Sequence, residues 1–261
     1  MALLEDLANK AKTKNSRILL PESTDSRVIE ASRFISDQNL AQIVLFDEDA
    51  ASSLGVDSIN LKNEDLRLEY AQTLFELRKH KGVSFEAALE MLSSPSVCAM
   101  IALHRSEVDG VVTGAITPSQ EVLSSALRII GISENSNLVS SMFLMVFDED
   151  HNRYGENLIF TDCAMNISPN SDELAEIAFS AYETAQSFLR EEPKLAMLSF
   201  STNQSAKHSE VDKVRQATEI ARSRLPNAQI IGNVQLDAAL DSEVLKIKDP
   251  DSSFSSPANV F

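Results

Sequence analysis

Three stretches place small hydroxyl or glycine residues where an apolar run gives way to a helix. That pattern can hold an oxyanion. In MLSFSTNQSAK, Met197–Lys207, an apolar run passes into Ser199, Ser201, Thr202 and Ser205 just before a helical segment. Hydroxyls and free N–H groups at such a place suit a phosphoryl or carbonyl oxygen. A solvated capping loop has the same composition. In VDGVVTGAITPSQEVLSSALRIIG, Val108–Gly131, a buried strand runs into Thr113-Gly114, and an amphipathic helix follows. Thr117 has the N-cap position, Pro118 the first helical position and Gln120 the capping-box position. The N–H groups at that helix start could hold a phosphate or carboxylate, and an ordinary βα turn would look alike. In FTDCAMN, Phe160–Asn166, Asp162 sits at a strand end, where α/β proteins place ligand residues. Cys163 would need a nearby base to act as a nucleophile, and the sequence names none; it reads as a small buried residue. Arg78 closes a long helix, where a cation also complements the macrodipole.

The elements that must position these residues alternate. Strands are expected at Arg17–Pro21 and Ile43–Phe46, with Ile59 and Leu61 in a short one. Helices are expected from Ser26 to Asp37, Glu64 to Lys81, from Ser84, and from Ser96 to Ser106. Short continuous apolar strands between amphipathic helices imply a largely parallel sheet covered on both faces. Further on, Leu138–Phe147 and Leu158–Asp162 read as a hairpin across the polar DEDHNRYGEN turn. A helix from Ser171 to Leu189, a strand from Lys194 to Phe200, a helix from Glu210 to Arg224 and a strand from Gln229 to Gly232 follow. Val260-Phe261 reads as the opening of another buried strand, so the chain is expected to be an incomplete copy of something longer. MALLEDLANKAKTKNSR reads as a short amphipathic helix rather than a signal peptide.

The chain has 261 residues and a formal net charge of −16. No basic patch suited to nucleic acid stands out, and no apolar run approaches the roughly 18 residues of a membrane helix. Two cysteines in a chain this long fit a reducing compartment, and the four scattered histidines give no metal-ligand spacing. No metal and no nucleic-acid or membrane partner is expected. The lack of a GxGxxG fingerprint argues against a nicotinamide-dependent dehydrogenase.

Taken together, LPESTDSRVIEAS (Leu20–Ser32), ELRKHKG (Glu76–Gly82), VDGVVTGAITPS (Val108–Ser119), FTDCAMNISPNSDELAEIA (Phe160–Ala178), LSFSTNQSAKH (Leu198–His208), QLDAAL (Gln235–Leu240) and SPANVF (Ser256–Phe261) resemble the phosphate acetyltransferase family, which includes phosphate butyryltransferases. The resemblance covers nearly all of the chain. It implies two three-layer α/β domains with an interdomain cleft, similar to the isocitrate/isopropylmalate dehydrogenase-like fold, here at residues 1–144 and 145–261. It implies acetyl transfer between CoA and phosphate by direct thiolate attack in a ternary complex, with no cofactor, in a cytoplasmic homodimer. The small molecules bound would be CoA, acetyl-CoA, phosphate and acetyl phosphate. On the resemblance, Arg78 matches an arginine implicated in CoA binding. Thr113, Gly114, Ser199, Ser201, Thr202 and Ser205 match substrate-binding positions.

The chain departs from the family pattern at four places. Ser124 stands where an arginine usually does, with Arg128 one turn further on. Gln204 replaces a glycine, and Asn233 an acidic residue. A closing Asp-Leu-Ser-Arg-Gly segment, which carries the serine, arginine and aspartate tied to transition-state stabilisation and thiol deprotonation, would lie beyond Phe261. No catalytic residue is therefore assigned within the chain. These 261 residues alone are therefore expected to show little or no acetyl transfer. The alternative reading is a catalytically impaired or inactive relative, binding CoA or phosphate or serving in oligomerisation.

Overall fold

The computed structural model describes residues 2–134, 136–147, 157–203, 205–255 and 257–261. Contacts divide the chain into a unit of Leu4–Gly131 and a unit of Ile132–Phe261 to which Met1–Leu3 also belong. The polar turn expected at 148–157 lies almost wholly outside the described residues, as does Gln204.

In the N-terminal unit, α1 (Ala2–Lys14) leads into β1 (Arg17–Leu20), α2 (Ser26–Asp37), β2 (Gln42–Leu45), α3 (Glu48–Leu54) and β3 (Asp57–Ser58). Then come α4 (Glu64–Arg78), a 3₁₀ turn at Lys79–Lys81, α5 (Phe85–Met91), α6 (Pro95–His104), β4 (Gly110–Val111) and α7 (Ser119–Ile129). The four strands pair in parallel in the order β3-β2-β1-β4. Strand alternation sorts the core. Ile18, Leu20, Ile43 and Leu45 face α2 and α3, while Leu19 and Val44 face the cluster built from α4, α5, α6 and α7. The result is three layers, as the alternating pattern requires.

In the C-terminal unit, β5 (Met142–Val146) pairs antiparallel with β6 (Asn157–Thr161). α8 (Ser171–Phe188), β7 (Lys194–Leu198), α9 (Ser209–Arg224), β8 (Gln229–Val234), α10 (Leu236–Leu240) and α11 (Ser242–Lys248) follow. β7 and β8 are parallel. Val260 lies between the two pairs, bridging Ile159 and Leu195 in parallel. Ile159 N–H donates to the Asn259 carbonyl at 2.9 Å, and Ala196 N–H to the Val260 carbonyl at 2.8 Å. The C-terminal residues thus run through the middle of one mixed sheet, between β6 and β7. α8 and α9 cover one face through Ala175, Ala178, Ala181, Val214, Ala217 and Ala221, and α10 and α11 pack on the other beside Ala196, Ile231 and Phe261.

Two expectations need correction. A domain boundary after residue 144 would cut β5, all five residues of which pair with β6. The contacts divide the chain after Gly131 instead. The short third strand is Asp57–Ser58 and not the apolar Ile59 and Leu61, because pairing with Val44 and Leu45 uses only the backbone and leaves both side chains exposed.

Candidate active site

The turn after β4 is shaped by a residue from another loop. Gly114 adopts φ +106°, a conformation that strains any residue with a Cβ. The next backbone N–H groups turn inward onto the Glu22 carboxylate. Gly114 and Ala115 donate to Oε2 at 2.9 and 2.8 Å; Ile116 and Thr117 donate to Oε1 at 3.0 and 2.6 Å. Glu22 is 5% exposed. Burial works to raise its pKa, but the N–H donors of Ile116, Thr117 and Ala115 outweigh it and hold the carboxyl at about 2. Arg27 closes the turn from the other side, donating from Nη2 to the Ala115 carbonyl at 2.9 Å while paired with Asp25 at 2.7 Å.

Thr117 is therefore not the N-cap. Pro118 holds that position, no side chain caps α7, and the Thr117 N–H belongs to Glu22. The N–H groups expected to meet a phosphate already hold a carboxylate. What Thr113 still offers is its hydroxyl, which is buried and has no partner among the described residues. It lines a cavity of about 350 Å³ with Glu22, Arg27, Val28 and Val112.

The structure brings Ser199, Ser201, Thr202 and Ser205 into one loop beyond β7. The Ser199 N–H donates to the Val234 carbonyl at 2.9 Å, tying the loop to β8. Ser205 Oγ donates to Ser201 Oγ at 3.1 Å and accepts the Thr202 N–H at 3.2 Å. Thr202 Oγ1 meets the Gln235 amide oxygen and accepts the Gln235 N–H at 3.0 Å. Ser201 and Thr202 are buried, while Ser205 is exposed. The loop thus presents a hydroxyl at its surface and braces it from beneath.

Asn233 belongs to the same brace. Its side chain donates to the Asn203 carbonyl, and its own carbonyl accepts the Asn203 N–H at 2.9 Å. Both residues sit at positive φ, 54° and 53°. Asparagine tolerates that conformation better than most side chains. The amide oxygen of Asn233 is buried with no described partner.

Arg78 ends α4, half-buried, with no ion-pair or hydrogen-bond partner for its guanidinium among the described residues. Thr113 and Gly114 lie in the same unit as Arg78, and the serine loop lies in the C-terminal unit. Ser124 is half-buried on α7, and Arg128, four residues on, is exposed. Asp162 is occupied internally. It accepts from Ser141 N at 2.9 Å, from Ser141 Oγ, from Asn166 N at 2.6 Å and from Asn166 Nδ2 at 2.5 Å. Burial opposes the charge, yet these donors keep the carboxyl far below the usual range. Cys163 donates to the Phe160 carbonyl at 3.0 Å and lines an apolar cavity of about 270 Å³. No base touches it among the described residues. Nor do any three His, Cys, Asp or Glu side chains cluster there in a metal-binding arrangement.

Residues 2–261 match the family model described as phosphate acetyl/butaryl transferase. The chain belongs to that family. Phosphate acetyltransferase from Thermoanaerobacterium thermosaccharolyticum is 38% identical over the whole chain, which spans 82% of that protein. The Clostridium acetobutylicum phosphate acetyltransferase is 40% identical, again over the whole chain and 81% of the relative. Against the longer Escherichia coli phosphate acetyltransferase, 37% identity extends over 99% of this chain and 36% of the other. A phosphotransacetylase crystal structure from Streptococcus pyogenes covers the full chain at TM-score 0.90 and 34% identity, with 80% of its own chain matched. The family's α/β fold, with parallel strands covered by helices, is the fold seen here.

Glu22 was open to discovery in the sequence only as part of LPESTDSR. An acid two residues past a buried strand is one signal for a carboxylate spent on a neighbouring turn. Its partner, the 114–117 backbone, carries no side-chain signature.

Proposed function

We propose that the protein is a phosphate acetyltransferase, interconverting acetyl-CoA plus phosphate and acetyl phosphate plus CoA. In one direction the CoA thiolate attacks the acetyl carbonyl carbon. The carbon–sulfur bond forms, the bond to the phosphate oxygen breaks, and phosphate leaves. The observation that carries this reading is the unbroken likeness: one family matches from residue 2 to residue 261, and a phosphotransacetylase superposes on the entire chain. The site chemistry agrees with it. The reaction needs cations and donors for phosphoryl and carbonyl oxygens. Arg78 is an unpaired guanidinium among the described residues, and the braced 199–205 loop supplies hydroxyls.

The reading extends to CoA, acetyl-CoA, phosphate and acetyl phosphate as the molecules bound, to a homodimer in the cytoplasm, and to no resident cofactor or metal. No single described helix is long and apolar enough to cross a membrane.

Thioester formation from acetyl phosphate and CoA, followed with the purified 261-residue protein, tests the reading. The sequence pattern leads to an expectation of little turnover from these residues alone; the transferase reading requires measurable turnover that saturates in both substrates and a KM for CoA raised on the order of tenfold or more by Arg78→Ala, as loss of a charged contact predicts. Saturable CoA binding with no turnover would overturn it in favour of the impaired relative.

A further inference from the structure

We propose that Glu22 is a positioning residue, a built-in anion whose carboxylate fixes the Thr113–Thr117 turn and thereby presents the buried Thr113 hydroxyl. Four consecutive N–H groups converge on its two oxygens at 2.6–3.0 Å, two on each. Converging backbone N–H groups next to a residue at positive φ form an anion nest. Such nests usually face an external ligand; this one encloses a side chain from 92 to 95 residues away in sequence.

The sequence explains why an external anion does not occupy it. Pro21 and Ser23 are buried on either side of Glu22, so the carboxylate is delivered from inside the unit while Gly114, Ala115 and Ile116 lie exposed at the surface. Arg27 then holds the Ala115 carbonyl while Glu22 holds the Ile116 N–H, so both polar edges of the Ala115–Ile116 peptide are gripped by one segment, Glu22–Arg27. Four N–H groups converging on one point with no acceptor between them would turn out to water, and the turn could not keep this closed form.

The turn therefore depends on a negative charge in the nest rather than on its own residues. Two consequences follow. A side chain of the same shape that lacks the charge should fail, because Glu22→Gln points an NH₂ group at two N–H donors. An emptied nest should accept a small carboxylate from solution. Phosphate brought by a substrate, in contrast, must be held elsewhere, by groups such as Arg78 or the hydroxyls.

The kinetic part of the test rests on the transferase reading; the stability part does not. Wild type, Glu22→Ala and Glu22→Gln are compared in thermal melts and in thioester formation, with sodium formate or with sodium chloride at matched ionic strength. Expected for Glu22→Ala are a lower Tm and at least a tenfold loss in kcat/KM, both recovered at least partly by formate and not by chloride. Glu22→Gln, whose side chain still fills the nest, should be impaired and gain nothing from formate. Should Glu22→Ala yield no folded protein, Glu22→Gln within twofold of wild type in kcat/KM and at wild-type Tm overturns the proposal. So does a Glu22→Ala melt that formate leaves unmoved. If every variant including wild type lacks turnover, the transferase reading fails, while the melts still decide the role of Glu22.

Discussion

Gly232→Ala tests how closely the serine loop depends on the strand beneath it. A Cβ built on Gly232 would meet Thr218 Oγ1 at 1.8 Å, Cγ2 at 2.4 Å and Cβ at 2.5 Å. Ordinary contact begins near 3.4 Å, so β8 and α9 must separate by roughly 1.5 Å, and still by about 1 Å if Thr218 changes rotamer, because its Cβ does not move with χ1. Thr218 is 4% exposed, and its hydroxyl donates to the Val214 carbonyl at 2.7 Å, so there is no empty space to turn into. Overpacking of this kind costs about 1–3 kcal/mol, and the clash with three atoms of one side chain puts this case at the upper end. For a chain of this size about 3 kcal/mol corresponds to a fall in Tm of roughly 6–12 °C. The displacement passes directly to Asn233 and Val234, whose carbonyls hold the N–H groups of Asn203 and Ser199. On the proposal that the 199–205 hydroxyls hold phosphate, its KM should rise along with the loss of stability. Thr218→Ala removes the two nearest clashing atoms, Oγ1 and Cγ2, but keeps the Cβ at 2.5 Å; by itself it loses only a local helix bond and a small volume, about 1 kcal/mol. The double variant, left with the Cβ contact alone, should recover part of the lost Tm, giving a coupling of about 1 kcal/mol in urea melts. Additive losses, or Gly232→Ala melting with the wild type, would refute the argument that this contact sets the strand–helix spacing.

Removing the Tyr70 hydroxyl should be felt in the other unit. Tyr70 is 1% exposed, and its OH donates to Glu107 Oε2 at 2.5 Å, so Tyr70→Phe should cost about 1.5–3 kcal/mol in urea unfolding. Asn170 and Glu173 form a reciprocal capping box at the start of α8, and Asn170→Ala should cost about 1 kcal/mol in the same assay. The carboxyl of Glu22 has a folded pKa lowered to about 2, so its contribution is present above the unfolded value near 4.3 and lost as pH falls towards 2. The stability gap between wild type and Glu22→Gln should be flat above about pH 5 and close between about pH 4.5 and 2; a gap that persists at the acid end would contradict this. Asp162→Asn should behave in the same sense, destabilising at pH 7 and progressively less so below about pH 4.

Periodicity made most of the scaffold legible. Helix α2 begins and ends where its apolar spacing says, Ser84 caps α5, and Gly82 takes the left-handed position after the 3₁₀ turn. The strands were readable because continuous runs such as Ile43–Leu45 are buried from both sides. What failed to show was everything decided between backbone atoms far apart in sequence. The capping-box pattern at Thr117 and Gln120 was present in type and spacing, yet the N–H it would satisfy was taken by Glu22. Asp162 had the position of a ligand residue, yet Ser141 and Asn166 occupy it. The serine loop was legible because hydroxyl side chains advertise themselves. Asn203 and Asn233, which hold it in place from positive φ, look like ordinary polar residues in a sequence.

Glu22 and Asp162 point to one economy of charge. Each lies just past a buried strand in its own unit, and each is neutralised mainly by donors that carry no formal charge. The chain has 39 acidic residues against 23 lysines and arginines, so cations are scarce. A carboxylate satisfied by N–H groups fixes a loop without consuming a guanidinium. Were Glu22 and Asp162 paired with arginines, the loops could close as firmly, but two fewer cations would remain for anionic substrates. The observed arrangement is consistent with Arg78 lacking an acidic partner among the described residues, as a protein of net charge −16 requires if it is to hold CoA or phosphate.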